Sequence, residues 1–318
     1  MILVVIVNYR TPHLTVDCLR SLVGEVQRVP DVQVVVSDNL SGDDSVDVIS
    51  AAIDSEGWHS WVKFVPLSKN GGFAYGNNAV IAESLATENP PDYIWLLNPD
   101  TVVRPGGLKT LVDFMDAHKD VGIAGSRLED PDGTPQRSAF RFHTVFSELD
   151  SGLRLGLVSK LLSKWVVAPP IVDHSCKTDW LAGASMMIRR EVFDDVGLMD
   201  DSYFMYYEEV DFCLAANRAG WPCWYVPESR VVHLVGQSSG VTNVKQPPKR
   251  RPQYWFDSRR RYFRKNYGRL YAGLADYAWM FGYSLWSIRR VIQNKPHVDP
   301  PKFFLDFLRN SFVFNLGR

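Results

Sequence analysis

Three groups of side chains have the types and spacing to do chemistry. The apolar run YIWLL ends in Asn98-Pro99-Asp100. Hard divalent cations take oxygen donors, and a cation that already carries a diphosphate needs few ligands from protein. One carboxylate with a polar side chain two residues before it is enough to anchor such an ion. In YYEEVDFCLAANRAG, residues 206–220, Glu208 and Asp211 are three apart and share a helical face, whereas Glu209 points elsewhere. Acids crowded in this way raise at least one pKa, which suits a general base. A solvated helix N-terminus is the plainer source of the same acids, but the flanking Phe204-Met205-Tyr206-Tyr207 and Phe212-Cys213-Leu214 weigh against it. The third group is His233, which closes the apolar RVVHLVG ahead of Gly236-Gln237-Ser238-Ser239-Gly240. That turn offers amides and hydroxyls, Ser238 among them, to a phosphate, and an imidazole beside it would complete a metal site. A half-buried histidine with no ligand is the ordinary alternative.

These residues need elements to hold them. ILVVIVN (2–8) is a short β-branched run of the kind that forms a parallel strand covered on both faces. Leu14, Cys18, Leu19 and Leu22 then recur at helical spacing behind Thr11 or Thr15 as a cap. Strands follow at 32–37, 62–67 and 93–97, with helices after SGDDS and around 75–87. Alternation of strand and helix over about the first 125 residues predicts an α/β, doubly wound, mostly parallel central sheet flanked by helices. Ligands of such sheets bind beyond the carboxyl ends of the strands. Asn8-Tyr9, Asp38-Asn39, Asn70 and Asn98-Pro99-Asp100 all fall at such ends, where turn chemistry alone would also place Asn, Asp and Pro. Residues 134–177 read as an excursion, a lid or acceptor-facing loop, and DWLAGASMMIRREVFDDVGLMDD as a strand, a turn and a short helix.

A chain of 318 residues, 46% hydrophobic, has ample core for one large α/β domain with an appendage. Its net charge of −1 argues against a global nucleic-acid binder but can hide a local basic patch. Cys18, Cys176, Cys213 and Cys223 lack the spacing of a disulfide framework or structural zinc site. The N-terminal MILVVIVNYRT is too short for a secretory segment, which points to the cytoplasm.

Taken in order, VVIVNYRT, VSDNLSGDDS, NGGFAYGNN, LLNPDTVV, WLAGASMMIRREVFDDVGLMDD, YYEEVDFCLAANRAGW and VVHLVGQSS resemble the family-2 inverting glycosyltransferases, especially their rhamnosyltransferase-like branch. The resemblance spans about residues 2–240. It implies a GT-A fold with a nucleotide-binding half (1–125) and an acceptor-binding half (126–240), which leaves residues 241–318 as a basic-aromatic and helical C-terminal extension. It also implies transfer of a sugar from a nucleotide diphosphate donor with Mg²⁺ or Mn²⁺ as cofactor. Carried over residue by residue, Asn8, Tyr9, Arg10 and Asp38 hold base and ribose, and Asn70, Gly72 and Asn78 line the donor pocket. Asn98-Pro99-Asp100 matches the metal-binding element with Asp100 as ligand, and His233 matches the later metal ligand. Asn98 departs from the usual acid there, which weakens the hold on the metal. Glu208-Glu209 stands where the family has Glu-Asp, so Glu209 falls at the base position, with Glu208 or Asp211 as alternatives. Trp180, Gly183 and Ala184 shape the sugar–acceptor junction. The expected reaction is rhamnosyl transfer from dTDP-rhamnose to a saccharide or polyprenyl-diphosphate-linked acceptor. UDP-linked hexoses, N-acetylhexosamines and galactofuranose are alternative donors, and a non-catalytic sugar-nucleotide scaffold is an alternative role.

Beyond this region, KQPPKRRPQYWFDSRRRYFRKNYGR (245–269) interleaves cations with aromatics, and the apolar stretch 270–288 is broken only by Asp276. Nucleic-acid binding fits the composition but not the family. Packing on the enzyme's own core or in a homo-oligomer, and peripheral docking on the anionic cytoplasmic leaflet, both stay open.

Overall fold

Continuous apolar runs become strands because both faces of the sheet are covered. In the computed structural model, which describes residues 1–234 and 248–312, β1 (Ile2–Asn8) is buried at every position. Ile2, Val4 and Ile6 turn toward a core shared with α1 (Pro12–Arg28), α2 (Ser45–Glu56) and α4 (Gly107–Ala117). On the opposite face Val7 meets α3 (Gly72–Leu85), where a Cβ on Gly76 would lie 2.6 Å from the valine. Pro12 starts α1 without needing an amide partner. Thr11 sits at the cap position but gives its hydroxyl to Asn8 instead.

The strands β1, β2 (Val32–Asp38), β3 (Val62–Pro66) and β4 (Tyr93–Leu97) are parallel, as their helical crossovers require. The next neighbour of β4 is β10 (Ser185–Arg189), which runs antiparallel to it, so the sheet is mixed. Its order is β3-β2-β1-β4-β10-β6-β11-β5, with β5 (Thr101–Val103), β6 (Ile123–Glu129) and β11 (Cys223–His233); β8 (Cys176–Thr178) pairs with β11. The short β7 (Ala139–Phe140) and β9 (Trp180–Leu181) form a separate ribbon, and α7 (Arg190–Val196) and α8 (Glu208–Arg218) complete this unit. Across its middle strands, buried hydroxyls form a chain from Trp95 Nε1 to Ser185 (3.0 Å), Ser126 (2.7 Å) and Ser229 (2.7 Å), ending on the Gly107 carbonyl (2.8 Å).

The sheet unit comprises Met1–Phe140, Pro170–Phe204 and Glu208–Gly240. A second, helical unit comprises Arg141–Pro169, Met205–Tyr207 and Val241–Arg318. It contains α5 (Val145–Leu153), α6 (Gly156–Leu161), α9 (Gln253–Ile292) and α10 (Phe303–Asn310). Residues 141–169, within the stretch 134–177 read from sequence as an excursion, therefore belong to one unit with the C-terminal helices. Gly152 and Gly282 let α5 and α9 touch backbone to backbone: a Cβ on Gly152 would lie 2.5 Å from the Trp279 carbonyl oxygen. Gly268, with φ +83°, breaks the helical path of α9. Phe256, Trp279, Met280, Tyr283, Trp286 and Phe307 form the core of this unit. Among the described residues no helix is long and apolar enough to cross a membrane.

Candidate active site

The carboxyl ends of β1 and β2 are locked side by side. Asn8 is fully buried, and its Nδ2 donates to Asp38 Oδ1 at 2.7 Å and to Ser41 Oγ at 3.2 Å. Its Oδ1 accepts from the hydroxyls of Thr11 and Thr15. Asn8 therefore braces Asp38 rather than presenting a free amide. Asp38 also accepts from the Ser41 amide, and Ser41 Oγ in turn accepts from the Arg10 amide at 2.9 Å. Arg10, at φ 58°, reaches back to the Ser41 carbonyl and lies over the Tyr9 ring. Thr15 and Ser41 belong to this network although the motif reading does not single them out. Ser41, three residues after a strand-ending Asp, is the signal that an ordinary Asp–Ser turn leaves in the sequence.

A second brace crosses to the glycine-rich turn, where Asn39 Nδ2 donates to the Gly72 carbonyl at 3.0 Å and Asn70 Oδ1 accepts from the Gly72 amide. Gly72 has φ +87°, and a Cβ there would stand 1.8 Å from the Phe204 carbonyl oxygen, so only glycine fits. Asn78, expected in the donor pocket, uses both ends of its amide on the backbone of Met199, at 2.7 and 3.2 Å. Its place in the structure is that of a tie between α3 and the segment after α7.

Asp100 and His233, more than a hundred residues apart, meet because β5 and β11 pair with Thr101 opposite His233. His233 Nε2 lies 3.6 Å from Asp100 Oδ1. Asp100 is 2% exposed, and its Oδ1 is buried with no hydrogen-bond partner among the described residues. Gln136 donates to the His233 carbonyl at 2.8 Å and holds that strand end. An unsatisfied carboxylate oxygen beside an imidazole nitrogen has the donor chemistry of a divalent-cation site. The described residues contain no cluster of three or more His, Cys, Asp or Glu that could hold a metal, so diphosphate and water would have to supply the remaining ligands. The Asn98 amide donates to the Ala184 carbonyl at 3.0 Å, which ties the turn to the start of β10. Ser238 lies outside the described residues.

Glu208, Glu209 and Asp211 open α8. Asp211 Oδ1 accepts from the Tyr203 hydroxyl at 3.2 Å, which makes it a poor candidate for a mobile proton. Glu209 Oε2 is buried without a hydrogen-bond partner among the described residues, and burial pushes the carboxyl up to about 7. Gly183 is its neighbour: a Cβ there would stand 3.9 Å from Glu209 Cβ and 3.2 Å from the Phe73 ring. The glycine thus keeps space open between Phe73 and the acid. Phe73, unlike Gly183, escapes motif reading, because a phenylalanine in a helix is usually core. Trp180 stacks on Phe140 at 4.3 Å, a pairing set by the β7–β9 ribbon.

The arrangement has parallels in known proteins. A family model described as glycosyltransferase like family 2 matches residues 1–268. The N-acetylglucosaminyl-diphospho-decaprenol L-rhamnosyltransferase of Mycobacterium tuberculosis is 30% identical over 252 residues, 74% of this chain and 77% of that one. GalNAc-T7, solved with UDP, GalNAc and Mn²⁺, superposes with a TM-score of 0.60 at 15% identity over 99% of this chain, which spans only 57% of that longer protein. The mannosyltransferase PcManGT of Pyrobaculum calidifontis, solved with GDP-Man and Mn²⁺, gives 0.55 at 13% identity over 99% of this chain and 87% of its own. At these identities the structural likenesses establish the fold, and the family match carries the rest: the chain is a GT-A-fold glycosyltransferase and belongs to glycosyltransferase family 2.

Proposed function

We propose that the protein transfers L-rhamnose, with inversion, from dTDP-rhamnose to a hydroxyl of a polyprenyl-diphosphate-linked saccharide during synthesis of a cell-surface glycan. The observation that carries the catalytic part is Glu209, whose buried Oε2 has no hydrogen-bond partner among the described residues and whose pKa is pushed to about 7. A base poised near neutrality is matched to deprotonating an acceptor hydroxyl as that oxygen attacks. The acceptor O–H proton goes to Glu209, the new bond forms from that oxygen to the anomeric carbon, and the bond to the donor phosphate breaks on the opposite side. Asp100 and His233 would hold Mg²⁺ or Mn²⁺, which when bound neutralises charge on the departing nucleoside diphosphate. Asp38, held by Asn8 and Ser41, is the group offered to base and ribose.

The sugar and the acceptor are proposed from the relative in M. tuberculosis, whose name gives both. On this reading the enzyme works peripherally at the cytoplasmic leaflet, where its acceptor is anchored. The test is transfer from dTDP-rhamnose to a polyprenyl-diphospho-N-acetylglucosamine, with UDP-hexoses, UDP-N-acetylhexosamines and UDP-galactofuranose as competing donors. The reading predicts rhamnosylated product with wild-type protein and almost none with Glu209→Gln at saturating donor. Wild-type rates in excess chelator would remove the metal from it, and a preferred UDP-sugar would replace the donor.

A further inference from the structure

We propose that the part of α9 following Gly268 docks in the headgroup region of an anionic lipid bilayer, with its axis in the membrane plane. Leu270, Leu274, Tyr277, Phe281, Leu285 and Ile288 recur at spacings of three and four, and each is between 43% and 81% exposed. The row continues to Ile292, so at 1.5 Å per residue it is about 33 Å long. The other side of the same helix carries Trp279, Met280, Tyr283 and Trp286 into the core. Of the two uses that composition suggests for this segment, packing on the protein therefore occupies one face and leaves the second without a partner among the described residues. Folded monomers rarely leave so long an apolar row in water.

Charge selects the occupant. The only residue charged at neutral pH between Arg269 and Arg289 is Asp276, which is 1% exposed and closed on Arg259. Cations stand at both ends of the row: Arg264, Lys265 and Arg269 before it, and Arg289, Arg290 and Lys295 around its last turn. The helical unit as a whole has 20 Lys and Arg against six Asp and Glu, a formal charge of +14, whereas the sheet unit has 15 against 30, or −15. Four of the six acids of the helical unit, Glu148, Asp276, Asp299 and Asp306, are buried. A second copy would be a poor cover, because antiparallel pairing of two α9 rows sets one cationic end on the other and parallel pairing sets like on like. An uncharged row with basic ends matches an interface of acyl chains under anionic headgroups, into which such helices sink about 5–10 Å.

The inference deepens the reading of a lipid-linked acceptor, but its test needs no catalysis. Full-length protein is floated with vesicles of phosphatidylcholine alone or mixed with phosphatidylglycerol. Wild type should rise with the anionic vesicles only, and less so as salt increases. The triple variant Leu274→Ser/Phe281→Ser/Ile288→Ser, altered only at exposed positions, should lose about a hundredfold or more in partitioning with an unchanged thermal midpoint. Arg264→Gln/Lys265→Gln/Arg269→Gln should lose about fivefold per cation removed. The proposal is overturned if wild type stays unbound with anionic vesicles or if the serine variant floats as wild type does. It is equally overturned if sedimentation velocity shows a wild-type dimer that the serine variant breaks while flotation is unaffected. Transfer to a water-soluble acceptor should be unchanged in both variants; absence of rhamnosyl transfer in wild type would count against the proposed reaction and leave flotation to judge the docking.

Discussion

The helical unit closes its most deeply buried carboxylates on a cation, whereas the sheet unit leaves two of its own with an unpaired oxygen among the described residues. In the helical unit Glu148 and Asp276 both close on Arg259, and the Phe312 amide adds a 2.6 Å bond to Asp276. Burial would push the Glu148 carboxyl up, but Arg259 and then His143 hold it below its usual range. The sheet unit satisfies some acids just as fully. Glu25 accepts from the amides of Gly106 and Leu108, and Glu129 takes Arg104 and Arg230. Yet in the same unit Glu209 and Asp100 each keep a buried oxygen with no hydrogen bond among the described residues. An unsatisfied buried group of this kind costs about 1–3 kcal/mol. Burial of an acid is therefore uninformative by itself; what separates scaffold from chemistry is whether the fold has finished pairing it.

If that distinction is right, the largest effects should appear where pairing is unfinished and should be effects on rate. Glu209→Gln should lower transfer by about 10²–10⁴-fold at saturating donor, the range a lost general base produces, with the urea midpoint no lower than wild type. Asp100→Asn should lower transfer as well and should weaken its dependence on added Mn²⁺. The reverse pattern is expected where pairing is complete. Arg259→Met leaves two buried carboxylates without a counter-charge and should destabilise by about 3–5 kcal/mol in urea unfolding. Gly72→Ala, a purely steric change in the glycine-rich turn, should cost about 2–4 kcal/mol, since its φ of +87° and the Phe204 carbonyl both refuse a methyl group. Loss of transfer without loss of stability in Arg259→Met would break the contrast.

Sequence carried much of this, though unevenly. Strands β1 to β4 were readable because each is a short, largely β-branched or apolar run, and α8 because Glu208 and Asp211 stand three apart within apolar density. β6 was not, since Gly125, Ser126 and Arg127 interrupt it; Gly125 is there because a Cβ would stand 2.7 Å from Leu181, a contact no local pattern announces. Asp100, His233 and Glu209 were legible as motif residues, but their meeting or isolation depends on the β5–β11 register and on Gly183. Asn8 and Asn78 have motif positions too, and only the fold reveals that their side-chain amides are occupied. The charge division was hidden by its own balance: a net −1 is the near-cancellation of −15 and +14. The C-terminal helix showed its composition but not which face was buried, because Asp276 looks like an interruption until Arg259 is found beneath it.

The contrast also has a pH signature of opposite sign at a paired acid, Glu148, and an unpaired one, Glu209. Glu209 has a folded pKa near 7, above the ordinary glutamate value, so between those two values the native state binds more protons than the unfolded state and loses stability as pH rises. Above about pH 7 the cost is fully present. Glu209→Gln removes it, and the variant should be more stable than wild type by about 1–3 kcal/mol at pH 8, with the gain shrinking toward zero near pH 4.5. Glu148 is the mirror case: its folded pKa is depressed, so its contribution is present above the unfolded glutamate pKa and is lost as pH falls through the folded value. Glu148→Gln should therefore destabilise at pH 8 and converge on wild type in acid. Urea midpoints of the two variants measured from pH 5 to 8 decide the matter, since two acids serving the same structural purpose would give curves of the same sign. The rate supplies the cross-check: wild-type transfer should climb through about pH 7 as Glu209 loses its proton, and the residual activity of Glu209→Gln should not.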